Sequence, residues 1–268
     1  MEEDGIVRVT RHGKGGRVAV WTLNNPRKLN CLNNAMLERL FALFARPPDA
    51  DAIVLTGVGR YFSSGAALSE LNPGVSFPCR PSTFLEAVAK MNCAIFDGFI
   101  HYPKPIFVAA NGPCVGAATT FQLLCDANLC VPSTTFHTPF KQLGITPEGC
   151  STLTFVNKMG AEGARRMLED CEKLDARTAK ALGFVDILVE DEALLLDTAV
   201  SFAEDWVRQG KGRVSHTEGL VSKLDMLNKE EGRQLADAIL SRKFMERMGV
   251  PWPIAMVASP VARLFAKL

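Results

Sequence analysis

Short apolar runs alternate with helical patterns up to about residue 149, and this alternation constrains the fold more than any other feature. The runs DAIVLTG, KPIFVAANG and ANLCVP are typical of buried strands. The stretches NNAMLERLFALFAR, FLEAVAKMNCAIFDGFIHY and GAATTFQLLCD have the spacing of helices. Because strands that alternate with helices form mostly parallel sheets, the sequence predicts an α/β fold.

Both ends of the chain depart from this alternation. At the start, GIVRVTRHG and RVAVWTLN flank the turn GKGG and predict a β-hairpin. After residue 149, helical patterns dominate, with long runs over 190–210 and 229–249 and only VDILVE as a strand. We therefore expect a core over residues 1–190. The helical region over 191–268 should cover the active site, supply a subunit interface, or do both.

Composition and charge exclude several classes of protein. The 268 residues are 47% apolar and 22% charged, which is ordinary for a globular protein and argues against intrinsic disorder. Lys and Arg number 30 and Asp and Glu number 29, so no broad positive field attracts nucleic acid. The N-terminal MEEDGIVRV lacks a signal pattern, and no apolar run reaches membrane-spanning length. We expect neither secretion nor membrane insertion.

The eight cysteines do not form a recognisable metal or disulfide framework. They are scattered, without a CxxC pair or a Cys/His spacing typical of zinc sites. Four of them, Cys93, Cys114, Cys125 and Cys130, lie in apolar segments where a thiol packs as a small hydrophobic group. A reducing compartment is the simpler interpretation, and no metal is expected.

Two glycine-bearing turns follow predicted strands and are candidates for ligand binding. YFSSGAALSEL follows DAIVLTG, and NGPCVGAATTFQLLCD follows KPIFVAA. Small residues at such junctions leave backbone N–H groups approachable, because the first turn of a helix has no internal acceptor for them. The two turns could face one ligand oxygen, although each alone is also compatible with an ordinary tight turn. Neither matches a nucleotide-phosphate motif.

Glu148, in GITPEGCSTLTF, is the candidate base. An acid at a helix start is often only a favourable partner of the helix dipole. However, the surrounding chain is apolar, so we expect this carboxylate to be desolvated and its pKa to be raised, which suits a base near neutral pH. His137 is the rival candidate, although a lone imidazole in an apolar segment is more often structural.

These segments together resemble the crotonase (enoyl-CoA hydratase/isomerase) superfamily over roughly residues 5–190. The resemblance rests on YFSSGAALSEL, KPIFVAANGPCVGAATTFQLLCD and FHTPFKQLGITPEGCS, and TPEGCS is most similar to the peroxisomal Δ3,Δ2-enoyl-CoA isomerase branch. It implies a spiral of ββα turns with a C-terminal helical layer, and subunits that form homotrimers or hexamers. It also implies two backbone N–H groups that bind the thioester oxygen of an acyl-CoA.

Carried over by position, the resemblance implies specific site residues. The oxyanion donors would be the N–H groups of Ala66 and Ala117, and the base would be Glu148. The remaining substrate-binding positions would be Ser64, Gly65, Ala67, Leu68 and Gly116, with Lys28 near the coenzyme A phosphates.

The departures from the family pattern are informative as well. Hydratases of this superfamily use two glutamates, and the aligned positions hold Thr120 and Phe140. The mitochondrial-type isomerase base also aligns with Phe140. Ala67 replaces an aspartate that is frequent after the first turn, which affects a local hydrogen bond but not the backbone donor.

The sequence therefore predicts a Δ3,Δ2-enoyl-CoA isomerase that works with a single base. No metal or redox cofactor is expected, because coenzyme A is part of the substrate. Two alternatives remain open: another acyl-CoA enzyme of this superfamily, such as a weak hydratase or a hydrolase, and a catalytically silent binding homologue.

The tripeptide Ala266, Lys267 and Leu268 fits the small-basic-leucine pattern of the SKL-type peroxisomal address. We expect recognition by the peroxisomal import receptor and localisation in peroxisomes or a related organelle such as a glycosome. The mitochondrion is the alternative.

Overall fold

The computed structural model describes residues 5–67, 81–217, 219–239, 241 and 244. The strands are β1 Val7–His12, β2 Val18–Leu23, β3 Ala52–Gly57, β4 Ile106–Ala110, β5 Cys114–Val115, β6 Ala127–Cys130, β7 Thr135–His137, β8 Leu174–Asp175 and β9 Ile187–Leu188. The α-helices are α1 Asn34–Ala45, α2 Pro81–His101, α3 Ala117–Thr120, α4 Phe140–Leu143, α5 Ser151–Leu168, α6 Ala176–Ala181, α7 Leu195–Arg208 and α8 Leu220–Ile239. Short 3₁₀ turns lie at Lys14–Gly16, Pro26–Lys28, Phe121–Leu124, Glu192–Leu194 and Val214–His216.

The main sheet has six strands in the order β1-β2-β3-β4-β6-β9. β1 and β2 form the predicted antiparallel hairpin, and every other pairing in this sheet is parallel. A second sheet of three short strands, in the order β5-β7-β8, lies beside it. The predicted α/β class and the mostly parallel sheet are confirmed.

The central strands β2, β3 and β4 are buried on both faces, which explains why they are almost entirely apolar. Alternate residues of β2, β3 and β4 pack against α7, where Leu195, Ala199 and Ala203 are buried. The opposite side chains join the main core with α1 and α2. A parallel strand covered on both faces has no position for a polar side chain that needs water. Its sequence therefore lacks the alternation of polar and apolar residues that is typical of a strand with one exposed face.

The C-terminal helical layer is fastened to the core by a buried ion pair. Arg213, between α7 and α8, contacts Asp126 with a Nε–Oδ2 distance of 2.8 Å, and both side chains are fully buried. The guanidinium also donates to the carbonyl oxygens of Phe99, Tyr102 and Leu124. Because a buried charge needs several such partners, this arrangement fixes where α8 begins.

Beyond this anchor, α8 packs along α2. A Cβ atom built on Gly232 would lie 2.8 Å from Cys93 Sγ, so only glycine allows the two helices to approach this closely. No helix among the described residues is long and apolar enough to cross a lipid bilayer.

Several sequence predictions of local structure need correction. The stretch GAATTFQLLCD is α3 followed by a 3₁₀ turn, and GCSTLTFVNKM and GARRMLED form the single helix α5, interrupted at Gly160 with φ 72°. VDILVE is β9, but it is not the only late strand, because β8 also forms. Strands of two or three residues, such as β5, β7 and β8, are too short to carry a periodic signal.

The helix expected over 229–249 begins at Leu220 instead. Its first turns place Leu220, Leu224 and Leu227 at helical spacing, and these side chains pack against the main core. Most of residues 240–250, and the tripeptide at 266–268, lie outside the described residues.

Candidate active site

The first glycine turn lies beside the second, as the sequence predicted. Ser63 pairs with Cys114 in a parallel bridge, and the Val115 N–H donates to the Ser63 oxygen at 3.1 Å. Gly65 has φ 80°, and a Cβ atom built there would lie 2.3 Å from the Val115 oxygen and 3.7 Å from the Ala117 nitrogen. Only a glycine lets the two turns touch, so Gly65 sets the spacing of the candidate donors.

The backbone geometry turns the Ala66 N–H away from its neighbouring strand. Ala66 forms a parallel bridge with Leu32, in which Leu32 donates to the Gly65 oxygen at 2.9 Å and Ala67 donates to the Leu32 oxygen at 3.3 Å. Successive N–H groups of an extended segment point to opposite sides. The Ala66 N–H therefore points to the side opposite Leu32.

The N–H group of Ala117 is the first in helix α3. Gly116 precedes it with φ 55° and ψ −125°, a conformation that side chains rarely adopt, and its own N–H donates to the His137 oxygen at 2.8 Å. The N–H groups of a first helical turn have no acceptor within the helix. Gly116 thus orients the start of α3 so that the Ala117 N–H is available to an external acceptor.

Lys28 is exposed and lies near the first turn. The Leu29 oxygen, one residue further along, accepts the Ser64 N–H at 2.9 Å. The structure thus brings Lys28 to the same side of the core as Ser64, Gly65 and Ala66. Leu68 lies outside the described residues.

Glu148 is buried beside α3, with only 6% of its surface exposed. Its carboxylate accepts a hydrogen bond from the Asn92 amide of α2. The next residue, Gly149, has φ 71°, and a Cβ atom there would lie 2.8 Å from Thr120 Oγ1. Because Thr120 belongs to α3, which begins at Ala117, the carboxylate and the second turn belong to one site.

The pKa of Glu148 is raised to about 7, mainly by burial; the Asn92 hydrogen bond lowers it and the negative charge of Glu231 raises it. The desolvation expected from the sequence is therefore present. A carboxyl group with this pKa exchanges a proton readily near neutral pH.

His137 and the two departure positions lie close to the same centre. His137 is half-buried, and burial lowers its pKa. Its backbone oxygen accepts the hydrogen bond from the Gly116 N–H. Thr120 and Phe140 are both fully buried among core side chains. Neither offers a carboxylate at the positions where hydratases of the superfamily carry one.

Sequence reasoning missed two residues of this site, Asn92 and Glu231. Both are buried, at 4% and 2% exposure, and both contact the Glu148 segment from distant parts of the chain. A polar residue inside the apolar face of a predicted helix is a signal that was available for Asn92, in AVAKMNCAIF.

Among the described residues, one cavity and one group of metal-ligating side chains lie outside the candidate site. A cavity of about 600 Å³ between α2 and α8 is lined by none of the candidate residues. Asp97, His101 and Asp225 have ligand atoms within 4.8 Å of one another. An ion pair of 2.8 Å between His101 and Asp225 and a hydrogen bond from Asn228 to Asp97 account for that cluster.

The described residues contain no disulfide bond. Burial raises the pKa of Cys93 to about 11 and that of Cys130 to about 12. Such thiols are unreactive near neutral pH, so no nucleophilic role is assigned to either of them.

The chain is similar in sequence to two enoyl-CoA delta isomerases. The chain is 38% identical to human enoyl-CoA delta isomerase 2 over 195 residues, which is 70% of this chain and 45% of that protein. It is also 38% identical to mouse peroxisomal enoyl-CoA delta isomerase 3 over 187 residues, which is 68% of this chain and 54% of that protein. The chain thus spans about half the length of these curated relatives.

A crystal structure of an enoyl-CoA hydratase/isomerase from Pseudoalteromonas atlantica T6c superposes with a TM-score of 0.71 at 26% identity, covering 91% of this chain and 95% of that one. The fold is therefore the crotonase fold expected from the sequence. The sequence profile described as enoyl-CoA hydratase/isomerase matches residues 13–250. With its fold, its paired glycine turns and this match, the chain belongs to the enoyl-CoA hydratase/isomerase family.

Proposed function

We propose that this protein is a Δ3,Δ2-enoyl-CoA isomerase, which moves a double bond of a fatty acyl-CoA from C3 to C2. The observation that carries the proposal is the environment of Glu148. It is a buried carboxylate whose pKa burial raises to about 7, beside the helix that begins at Ala117. Similarity to two proteins named as enoyl-CoA delta isomerases supports the same reaction.

The mechanism needs one base and two fixed donors. The Glu148 carboxylate removes a proton from C2, which the thioester and the neighbouring alkene make acidic. The dienolate oxygen accepts hydrogen bonds from the N–H groups of Ala66 and Ala117. The resulting carboxylic acid returns the proton to C4, so proton and charge balance without a cofactor. Each donor aimed at the developing oxyanion should contribute about 3 kcal/mol.

Lys28 and the backbone from Ser64 to Leu68 would hold the coenzyme A part of the substrate. Lys28 is exposed and lies next to the first turn, where a phosphate in solvent can reach it. Gly65 and Gly116 would keep the donors in place, and Ala67 would contribute its backbone.

Hydration requires a second acid or base that activates water. Thr120 and Phe140 replace the two glutamates of hydratases. The nearby carboxylate of Glu231 accepts hydrogen bonds from Cys150 and Thr152. A weak hydratase stays the second candidate, because a Mycobacterium tuberculosis protein named as a probable enoyl-CoA hydratase is 31% identical over 65% of this chain.

The test is an assay of purified protein with 3-enoyl-CoA and with 2-enoyl-CoA, with separation of isomerised and hydrated products. We expect isomerisation of the first and little hydration of the second. Glu148→Gln should reduce isomerisation at least about a hundredfold while the protein still binds acyl-CoA. Efficient hydration, or near-normal isomerisation by Glu148→Gln, would refute the proposal, and absence of any turnover would favour a silent homologue.

We further propose that the protein acts in peroxisomes or a related organelle, and that it assembles as a homotrimer or hexamer. The named location of the mouse relative supports the first point. Light microscopy of the chain tagged at its N-terminus, with and without residues 266–268, tests it. A mitochondrial or diffuse signal from the full chain would contradict it. Sedimentation equilibrium of the purified protein tests the assembly, and a monomer would contradict it.

A further inference from the structure

Helix α8 carries a buried carboxylate, Glu231, that the proposed mechanism does not use. Its side chain reaches the start of α5, where Oε2 accepts the Cys150 N–H at 2.6 Å. Its Oε1 accepts the Thr152 N–H at 3.2 Å and the Thr152 hydroxyl at 2.6 Å. Only 2% of the residue is exposed, so these donors replace the water that a carboxylate normally binds.

These donors belong to the turn that follows Glu148. Cys150 occupies the N-cap position of α5, has φ 59°, and caps the helix with no side-chain hydrogen bond of its own. Gly149 before it also has a positive φ, of 71°. A non-glycine residue such as Cys150 is costly to hold in the left-handed region, and Glu231 supplies from α8 the cap that the local sequence lacks.

We infer that Glu231 is a positioning residue for Glu148: from α8 it fastens the turn that carries the base and places a second negative charge next to it. The inference rests on the proposed function in one respect, namely that Glu148 is the base. In addition to packing against the core, the C-terminal helical region would then position the turn that carries the base.

Asn92 from α2 donates to Glu148, and Cys150, Ser151 and Thr152 at the start of α5 face Glu231. The titratable groups around the pair are the Cys93 and Cys150 thiols, which interact with Glu231, and the charges of Asp97, Asp225 and Lys229, which act on these thiols. Burial raises the pKa of Glu231, and the hydrogen bonds that both its oxygens accept act in the opposite direction and favour its ionised form. An ionised Glu231 opposes ionisation of Glu148, so it adds to the raised pKa of the base, of which burial is the main cause.

The experiment compares Glu231→Gln with Glu230→Gln. Glu230 is the preceding residue of α8, but its carboxylate is on the surface and pairs with Arg233 at 2.7 Å. The two variants remove the same charge at adjacent positions. For Glu231→Gln we expect kcat to fall at least about tenfold with little change in KM, because the base is held less firmly. The acidic limb of its pH profile should also move to lower pH, by about half a unit or more.

A purely structural cap would lower stability without moving the pH profile. Glu231→Asp separates the two contributions, because it keeps the charge and shortens the reach. We expect this variant to lose kcat while its acidic limb stays close to that of the wild type. If a folded Glu231→Gln variant has the kcat and pH profile of Glu230→Gln, the inference is overturned. If Glu231→Gln does not fold, an unchanged kcat in Glu231→Asp overturns it.

A measurement without substrate separates this inference from the proposed function. The carboxyl ¹³C signal of Glu148, assigned by its loss in Glu148→Gln, gives the pKa of that residue directly by NMR titration. A lower pKa in Glu231→Gln than in Glu230→Gln supports the inference even if the wild type has no isomerase activity. Equal values in the two variants contradict the electrostatic part of the role.

Discussion

Replacing Glu148 with glutamine should abolish activity and, above neutral pH, stabilise the folded protein. Burial raises the pKa of Glu148 to about 7 in the fold, against 4.5 for an ordinary glutamate. Between these values the folded protein binds more protons than the unfolded chain. The free energy of unfolding therefore falls as the pH rises through this window, and the loss is complete above the folded pKa.

The magnitude follows from about 1.4 kcal/mol for each unit of pKa difference. Relative to a group with the same pKa in both states, Glu148 lowers the free energy of unfolding by about 1 kcal/mol near pH 5, where the unfolded chain already ionises, and by about 3 kcal/mol near pH 8. Glutamine does not ionise, and its Oε1 can accept the hydrogen bond that the Asn92 amide now donates to Glu148. The stability gap between variant and wild type should widen by about 2 kcal/mol over this range.

Urea unfolding of the wild type, Glu148→Gln and Glu230→Gln near pH 5 and pH 8 measures the gap, with isomerase assays on the same samples. Glu230 is exposed, and its pKa is lowered by its hydrogen bonds to Arg233 and Gln234, so its replacement should not produce a gap that widens with pH in favour of the variant. A Glu148→Gln variant with the same gap at both pH values would refute the reasoning, since Glu148 would then not be strained by burial. Lower stability than the wild type near pH 8 would refute it as well.

The other predictions concern the base and the two turns. The pH profile of wild-type kcat/KM should show an acidic limb with an apparent pKa near 7, because Glu148 must be ionised, and a limb below pH 5.5 would contradict this. Ala66→Pro and Ala117→Pro delete the proposed donors and should each reduce kcat at least about a hundredfold, with circular dichroism to verify folding. Equal activity in folded proline variants would remove the donor assignment. Gly149→Ala should reduce both stability and kcat, because the added Cβ would lie 2.5 Å from the Phe96 ring; Gly210→Ala, with φ 69° and open space, is the control for backbone strain alone. Equal losses in both alanine variants would show that crowding at the site plays no part.

The parts of the site that the sequence predicted are those whose signals are local. Gly116 follows β5 directly and Gly65 lies in the segment after β3, so the chain turns at both, and both have positive φ in the structure. Glu148 lies in an apolar stretch, so its desolvation could be expected from its neighbours. The parallel sheet was predictable for the same reason, because strands buried on both faces are apolar throughout.

The parts that it did not predict depend on contacts between distant segments. Asn92 and Glu231 lie 56 and 83 positions from Glu148, and the position of each is fixed by how α2 and α8 pack. Neither short β5 nor short β7 has a periodic pattern, although their pairing places His137 against Gly116. Such elements exist only because the rest of the core presents a backbone to pair with.

The hydrogen bonds of Glu231 decide how a site with two buried carboxylates can work with a single base. Two glutamates near one substrate would ordinarily allow one to act as acid and the other as base, which is the arrangement needed for hydration. A catalytic acid or base must have a free oxygen for the substrate or for water. Both oxygens of Glu231 are occupied by the backbone and hydroxyl of the α5 turn, whereas among the described residues only Asn92 donates to Glu148. The charge of Glu231 therefore acts on the pKa of Glu148. Proton transfer at one carboxyl group, that of Glu148, is the chemistry that this arrangement favours.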